Sequence, residues 1–446
     1  MSIFFWGGSP VPSTQSGATW ALSALVTLYA AFGFWRHGVA RVTAIGIFNI
    51  STSLFVGYAG IVASNARDLP TTQGSVQTVV LCWLIVLVIL NCASAATEDA
   101  TPPITMPDSS ARRITVVGWG ALTSLALVYQ GGAPSAGYAL VDGAAFTACV
   151  LVAAGLLFRT DTRVISARTL LIVATFAGYA LYFHQGTGRL RLVALGCCLL
   201  VLVTHRFPSR RWKLAALAAL PAAVWWLARE RLSLQEQIAA GSSAGRTGLE
   251  SMTEPLVVLA QLFEHTADGG NIAWGRTFFT LPASLFPRDW LPGIEPLGYE
   301  LVRIVNPARA GTGYSVASTA VGEWVYNFGP LGIAMAAVGL TVGLGWLDRR
   351  LNSVAGRVVT GRNLVAFIVW VLIVGAVADL AWSGTHTMGA RTLARLPLLG
   401  IAWVALGNGR RREAATTIGL PTARGARRTQ TASADQSALD RPRVNR

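Results

Sequence analysis

Runs of apolar residues long enough to cross a bilayer recur along this chain, and they decide its fold class before anything else. About 20 such residues make one membrane-crossing helix. On that rule about eleven spans are predicted, at 17–35, 42–63, 76–96, 114–132, 138–158, 165–184, 189–204, 212–228, 317–346, 364–382 and 393–407. The expected fold is all-α: a polytopic membrane protein with one large external loop containing short helices. Composition agrees. Of 446 residues, 53% are apolar and 13% charged, about half the roughly 25% charge of a soluble protein. These figures exclude a soluble enzyme and a disordered chain. The five cysteines all lie in apolar blocks, so neither a disulfide framework nor a zinc site is expected. No basic stretch precedes the first apolar residues, and no cleaved signal peptide is expected.

The net charge is +15, and every basic residue except Lys213 is arginine. On a soluble domain such a charge would suggest nucleic acid, but here it reports orientation, and no nucleic-acid partner is expected. One set of alternate loops holds Arg36, Arg41, Arg112, Arg113, Arg159, Arg163, Arg168, Arg206, Arg210, Arg211, Lys213, Arg349, Arg350, Arg357 and Arg362. The tail from 408 to 446 shares their side and adds nine Arg. The short loops of the other side hold only Arg67, Arg189, Arg191, Arg391 and Arg395. The positive-inside rule therefore predicts an external N-terminus and a cytoplasmic C-terminus. Residues 1–407 form the transmembrane domain. The tail, rich in Arg, Ala and Thr, is expected to be disordered and to lie near anionic lipid headgroups.

The segment from about 229 to 316 is the longest loop and faces outward on this reading. It carries seven Arg and nine acidic residues, so it is slightly acidic where the cytoplasmic loops are basic. Its apolar stretches Pro255–Phe263 and Phe278–Phe286 read as helices lying along or dipping into the outer leaflet. Ionisable residues inside spans are costly and therefore informative. Asp142, His184, Glu323 and Asp379 all fall near outer ends of spans, which argues for a polar chamber opening outward. Packing or snorkelling accounts for any one of them alone.

External arginines run against the topology rule and need a reason. Arg246, Arg276, Arg288, Arg303 and Arg309 lie in the long loop. Arg391 and Arg395 are four apart at the start of the last span, on one face. A planar guanidinium fork suits phosphate, and the anions at a membrane enzyme's outer surface include lipid pyrophosphates. Salt bridges to the loop's own acids are the plain alternative. His386, beside Arg391, has the chemistry of a general base or substrate ligand. No phosphate-binding loop, dinucleotide fingerprint or external Asp-x-Asp is present, and no metal or cofactor is expected. The adjacent acids Glu98 and Asp99 fall in a cytoplasmic loop and read as a solvated face.

Residues 275–332 resemble the O-antigen polymerase family, the Wzy-type oligosaccharide repeat-unit polymerases. The stretch runs Gly275-Arg-Thr-Phe-Phe, Leu285-Phe-Pro-Arg-Asp-Trp-Leu-Pro292, Pro296-Leu-Gly-Tyr299, Gly311-Thr-Gly-Tyr-Ser-Val-Ala-Ser318 and Gly322-Glu-Trp-Val-Tyr-Asn-Phe-Gly-Pro-Leu-Gly332. The family's Lys after its Trp-Pro is absent, with Gly293, Ile294 and Glu295 in its place, leaving Arg288 and its neighbours to meet phosphate. The resemblance implies polymerisation of undecaprenyl-diphosphate-linked repeat units at the outer face of the cytoplasmic membrane, with undecaprenyl diphosphate released. On that reading Glu323 is the first candidate base, with His386 and Asp379 behind it. Arg246, Arg276, Arg288, Arg303, Arg391 and Arg395 would bind the diphosphate, and Tyr326 and Asn327 the sugars. Membrane lipids, a flippase and chain-length regulator proteins would be partners. An O-antigen ligase-type or other lipid-linked glycosyltransferase is the runner-up, since it differs only in acceptor. A glycolipid flippase or transporter would need charges near the midplane and two related halves, and neither is seen.

Overall fold

The computed structural model describes residues 14–66, 69–94, 103–130, 135–160, 165–183, 190–238, 250–283, 295–355 and 361–407. Contacts divide the chain into Met1–Leu406 and Gly407–Arg446, and every element below belongs to the first unit apart from the last residue of its final helix. The described residues are predominantly helical and contain no β-strand. The helices are α1 (Thr14–Arg36), α2 (Ala44–Thr52), which continues through a π-helical turn at Ser53–Tyr58 into α3 (Ala59–Ser64), and α4 (Gln73–Ala93). Next come α5 (Asp108–Gln130), α6 (Ser135–Leu157), α7 (Ile165–Tyr182), α8 (Leu190–Arg206) and α9 (Arg210–Ile238). The long segment contributes α10 (Glu250–Ala267), a 3₁₀ turn at Arg276–Phe279 leading into α11 (Thr280–Ala283), and α12 (Leu297–Val305). The chain ends with α13 (Thr319–Phe328), α14 (Leu331–Ala355), α15 (Gly361–Gly375), α16 (Val377–Ser383) and α17 (Thr385–Gly407).

Among the described residues, seven helices are long and apolar enough to cross a membrane: 17–36, 44–64, 73–93, 139–157, 331–355, 362–383 and 385–406. Each remaining predicted span also coincides with helix, but α7 and α8 are shorter. Outward-facing side chains such as Leu28, Leu181, Val342 and Ile401 are exposed and apolar, as a lipid solvent requires. The molecule is a multi-pass α-helical membrane protein.

Two expectations change. The ninth span, read as continuous over 317–346, is two helices. Gly329 takes φ 62° and ψ −150°, a conformation open to glycine, and Pro330 cannot continue the preceding ladder. The stretch Pro255–Phe263 is helical, and it is packed inside the bundle rather than lying free on its surface. Leu256, Val258, Leu259, Ala260 and Leu262 of α10 are buried, and the helix packs against α3, α4 and α13. Its apolar residues surround more than one face, so it is an interior helix. In addition, α9 continues to Ile238, past the residue where the long loop was expected to begin.

The α2–α3 rod is buried along nearly its whole length and touches α1, α14 and α16. Its N-terminal N–H groups, which have no partner within the helix, are met from a distance: Asp348 of α14 accepts from Ala44 N at 2.5 Å and Ile45 N at 3.3 Å. A second polar tie joins α2 to α4. Asn49 Nδ2 donates to Asn91 Oδ1 at 3.1 Å, and Asn91 Nδ2 returns a bond to Asn49 Oδ1 at 3.0 Å. Both side chains are buried, so removing one leaves a desolvated amide, at a cost of about 1–3 kcal/mol. Asn91→Leu and Asn49→Leu should each lower the thermal midpoint of the detergent-solubilised protein. The double variant should lose less than the sum of the two; strict additivity would refute the pairing.

Candidate functional site

The site is built around α13 and the break between α16 and α17. Glu323 lies mid-α13 with Asn327 four residues on, so the two share a face. Thr319, where α13 starts, has φ 66°, a strained value for a β-branched residue. At the other end, the α13 carbonyls of Tyr326 and Asn327 accept from Ala273 N and Trp274 N, each at 3.0 Å. These bonds bring residues 273–280 against the helix.

The Glu323 side chain is fully buried. Its Oε2 accepts from Thr385 N at 2.6 Å, and the Thr385 hydroxyl lies 2.8 Å from both carboxylate oxygens. Thr277 Oγ1 donates to Oε1 at 3.3 Å. Gly384, which separates α16 from α17, has φ 90°, and a Cβ there would fall 2.6 Å from Glu323 Oε2. Glycine is thus required both by the turn and by the carboxylate. Burial pushes the Glu323 carboxyl above its ordinary value, while the bonds from Thr385 and Thr277 pull it back. A carboxylate has about four lone-pair sites, and three donors leave room for one more proton.

Asn327 is also buried. Its Nδ2 donates to Thr277 Oγ1 at 2.5 Å and Glu323 O at 2.7 Å, and its Oδ1 accepts from Thr277 N at 3.4 Å. It ties the 3₁₀ turn to α13. Thr280 Oγ1 donates to Thr277 O at 2.6 Å and lies 3.0 Å from His386 Nδ1. The hydroxyl has one hydrogen, and a carbonyl only accepts. Toward His386 the hydroxyl therefore accepts, Nδ1 carries the ring proton, and Nε2 keeps its lone pair.

A second group follows along the same two helices. Asp379 of α16 is fully buried. It is paired with Arg391 and lies 3.8 Å from Arg395. Arg395 is buried and stacks over the Phe146 ring at 3.9 Å. Arg191 pairs with Asp142 at 2.6 Å, and Tyr179 OH donates to Asp142 at 2.8 Å. Arg191 is within electrostatic reach of Asp379. Three guanidiniums thus face two carboxylates, and the cluster is net positive. Arg391 lies six residues beyond Thr385 on α17, about 9 Å along the axis.

The remaining expected residues sit elsewhere. Arg276 pairs with Glu300 at 2.9 Å, and Tyr326 OH donates to the same carboxylate at 3.0 Å. Hydrogen bonding to Glu300 raises the Arg276 pKa. Burial raises that of Tyr326 to about 12. Arg303 bonds both Glu295 oxygens at 2.9 Å on the surface, and Arg309 lies 4.9 Å over the Tyr314 ring. Arg246, Arg288 and His184 fall outside the described residues. Glu323, Asn327 and His386 are therefore brought together, and Asp379, Arg391 and Arg395 form an adjoining cluster. Sequence reasoning missed Thr277, Thr280, Thr385 and Tyr179. Thr277 stands within the family-like stretch and Thr385 beside His386, the only signals that could have found them.

What the fold and these groups define is a multi-pass helical membrane protein with a buried carboxylate beside an arginine cluster. No family model, curated protein or solved structure matches the chain.

A group whose pKa is raised by folding adds stability below its unfolded value and loses that contribution as pH rises through the folded value. For Glu323 the window opens near the ordinary carboxyl value of 4.5. Between pH 4.5 and 8 the thermal midpoint of the wild-type protein should fall relative to that of Glu323→Gln. A pH-independent difference would show that burial does not dominate this carboxyl.

Proposed function

We propose that this protein polymerises undecaprenyl-diphosphate-linked oligosaccharide repeat units at the outer face of the cytoplasmic membrane. One observation carries the reading. The two ends of the family-like stretch, Gly275–Phe279 and Gly322–Gly332, meet in space around the Glu323 carboxylate, through Thr277 and Asn327. The cluster of Arg391, Arg395 and Asp379 lies beside them on α16 and α17.

In this reaction the growing chain on one lipid carrier is the donor, and a hydroxyl of a second lipid-linked unit is the acceptor. The acceptor oxygen bonds to the anomeric carbon as the bond from that carbon to the diphosphate oxygen breaks. The hydroxyl proton goes to a base, and the diphosphate leaves with its charge. Glu323 is the first base, with a lone-pair site still open, and His386 Nε2 is the second. Their task is to raise the nucleophilicity of a sugar oxygen, worth about 10²–10⁴-fold in rate. Asp379, held by two arginines, orients Arg391.

Arg391 and Arg276 each meet one carboxylate and are partly exposed. A guanidinium has five N–H donors, so both retain donors for the departing diphosphate. Arg303, bonded to both Glu295 oxygens, is left out of the set, and Arg246 and Arg288 enter it on the resemblance alone. Arg395, buried against Phe146, positions Asp379. Tyr326 and Asn327 shape the wall on which sugar rings rest.

The proposed topology has eleven crossings, an external N-terminus, an external 229–316 segment and a cytoplasmic C-terminus. In cells, Glu323→Gln and Arg391→Lys should each leave single lipid-linked units and remove long chains, with normal protein in the membrane. Lys keeps the charge but loses the fork, and its rate loss should be about 10²-fold, as for loss of one oxyanion donor. Wild-type chain lengths in both variants would discard the site. Loss of glycan attached to a lipid core, with polymer still made on the carrier, would instead favour the ligase-type reading.

The topology has its own test. Asp268→Cys, in a version lacking the native cysteines, should react with an impermeant thiol reagent in intact cells. A cysteine in the 408–446 tail should be protected. The reverse pattern would invert the orientation.

A further inference from the structure

A cavity of about 620 Å³ lies among the loop between α1 and α2, the start of α2, the end of α4 and the C-terminal half of α14. It is remote from Glu323: Gly332, next to α13, and Asp348 at the cavity are sixteen residues apart on α14, about 24 Å. Its polar lining includes His37, Ser94, Asp348 and Arg349. Arg36 and Lys213 lie close enough to act on the His37 ring.

The charges there sum to positive. Asp348 turns its oxygens to Ala44 N and Ile45 N and is also offset by Lys213. Lys213 is fully buried and donates to the His37 carbonyl. Arg349 is the exposed cation of the lining, with its guanidinium folded back over Gly345.

His37 supplies the second observation. It is 3% exposed, and its Nε2 has no hydrogen-bond partner. Its ring bonds Asn91, whose two amide hydrogens already go to Asn49 Oδ1 and Leu87 O. The Asn91 oxygen therefore accepts from His37 Nδ1–H. Burial, reinforced by Arg36 and Lys213, lowers the His37 pKa and outweighs the Asn91 bond. The shift favours the neutral ring, and its unpartnered Nε2 lies on a residue that lines the same cavity as Arg349.

A ligand for this pair carries a phosphate for Arg349 and a hydroxyl for His37 Nε2. The cavity borders a lipid-facing strip: Val342 lines it and is 62% exposed, with Val338 also exposed on α14. Arg350 lies over Trp346 at 5.7 Å, the pairing of an interfacial anchor. We propose that this cavity binds the headgroup of a hydroxylated acidic phospholipid, of the phosphatidylglycerol type. Arg349 takes the phosphate, His37 takes a headgroup hydroxyl, and the acyl chains run along Val342 and Val338. Basic pockets between membrane helices on the cytoplasmic side are suited to such headgroups, and the proposed topology puts this end there.

The test is lipid binding by the purified full-length protein, read by native mass spectrometry and by competition in phosphatidylcholine nanodiscs. Phosphatidylglycerol should bind at one per chain, at least tenfold more tightly than phosphatidylcholine. Arg349→Gln should lose at least tenfold, while Arg350→Gln, outside the cavity, should bind as wild type. Equal binding of the two lipids, or wild-type affinity in Arg349→Gln, would overturn the proposal. Soluble glycerol phosphate matching the lipid's affinity would also overturn it, by showing a site for a free anion. These readouts need no glycan substrate, so they stand or fall apart from the polymerase reading.

Discussion

A carboxylate buried away from water must find its hydrogen-bond donors within the protein. The arrangement around Glu323 follows from that constraint. The carboxylate of α13 takes the first N–H and the hydroxyl of α17 at Thr385, and a hydroxyl from the 3₁₀ turn at Thr277. One side chain thereby joins three segments far apart in sequence. The same constraint governs Asp379, which is buried and reached by two guanidiniums, and Asp348, which closes the start of α2. In each case an acid is kept inside by backbone N–H groups or arginine, and each such acid connects separate helices.

The break at Gly384 links the two halves of the candidate site. It ends α16, which holds Asp379, and starts α17, which offers Thr385 N to Glu323 and places Arg391 two turns later. A continuous helix would have used that N–H in its own ladder, and a side chain at 384 would meet the carboxylate. In the proposed reading the first candidate base on α13 and the arginines of α17 are joined through Thr385 at this break, which favours fixed geometry over loop motion. A pyrophosphate leaving group needs donors placed before its charge develops. In the proposed reaction, the arginines paired with Asp379 would meet that need without reorganisation.

Much of the helical framework was legible in the sequence, because twenty-residue apolar runs have few folds open to them in lipid. Among the described residues each predicted span overlaps helix, the ninth being broken at Gly329 and Pro330. The Arg391–Arg395 spacing read as one helix face, and both side chains reach Asp379. Other features were not legible. Thr277 and Thr385 lie 46 and 62 residues from Glu323 in the chain, and nothing local marks a threonine as a carboxylate partner. The apolar run in α10 has the same composition whether it lies on a leaflet or inside a bundle, and only the neighbours α3, α4 and α13 decide. The pairing of Arg276 with Glu300 and of Arg303 with Glu295 depends on which acid folds nearest. The cavity at His37 and Arg349 was invisible, since its lining comes from three helices with no shared motif.

The account rests on Glu323 acting as the base that frees a sugar oxygen. Its most direct test is turnover by the purified protein in proteoliposomes, supplied with lipid-linked single units and followed across pH by chain length. The wild-type rate should rise with pH through a midpoint above the ordinary carboxyl value of 4.5. Glu323→Gln should be at least about 10²-fold slower without that rise, while binding released undecaprenyl diphosphate as tightly as the wild type. A Glu323→Gln rate within twofold of wild type, with the same pH profile, would contradict the account.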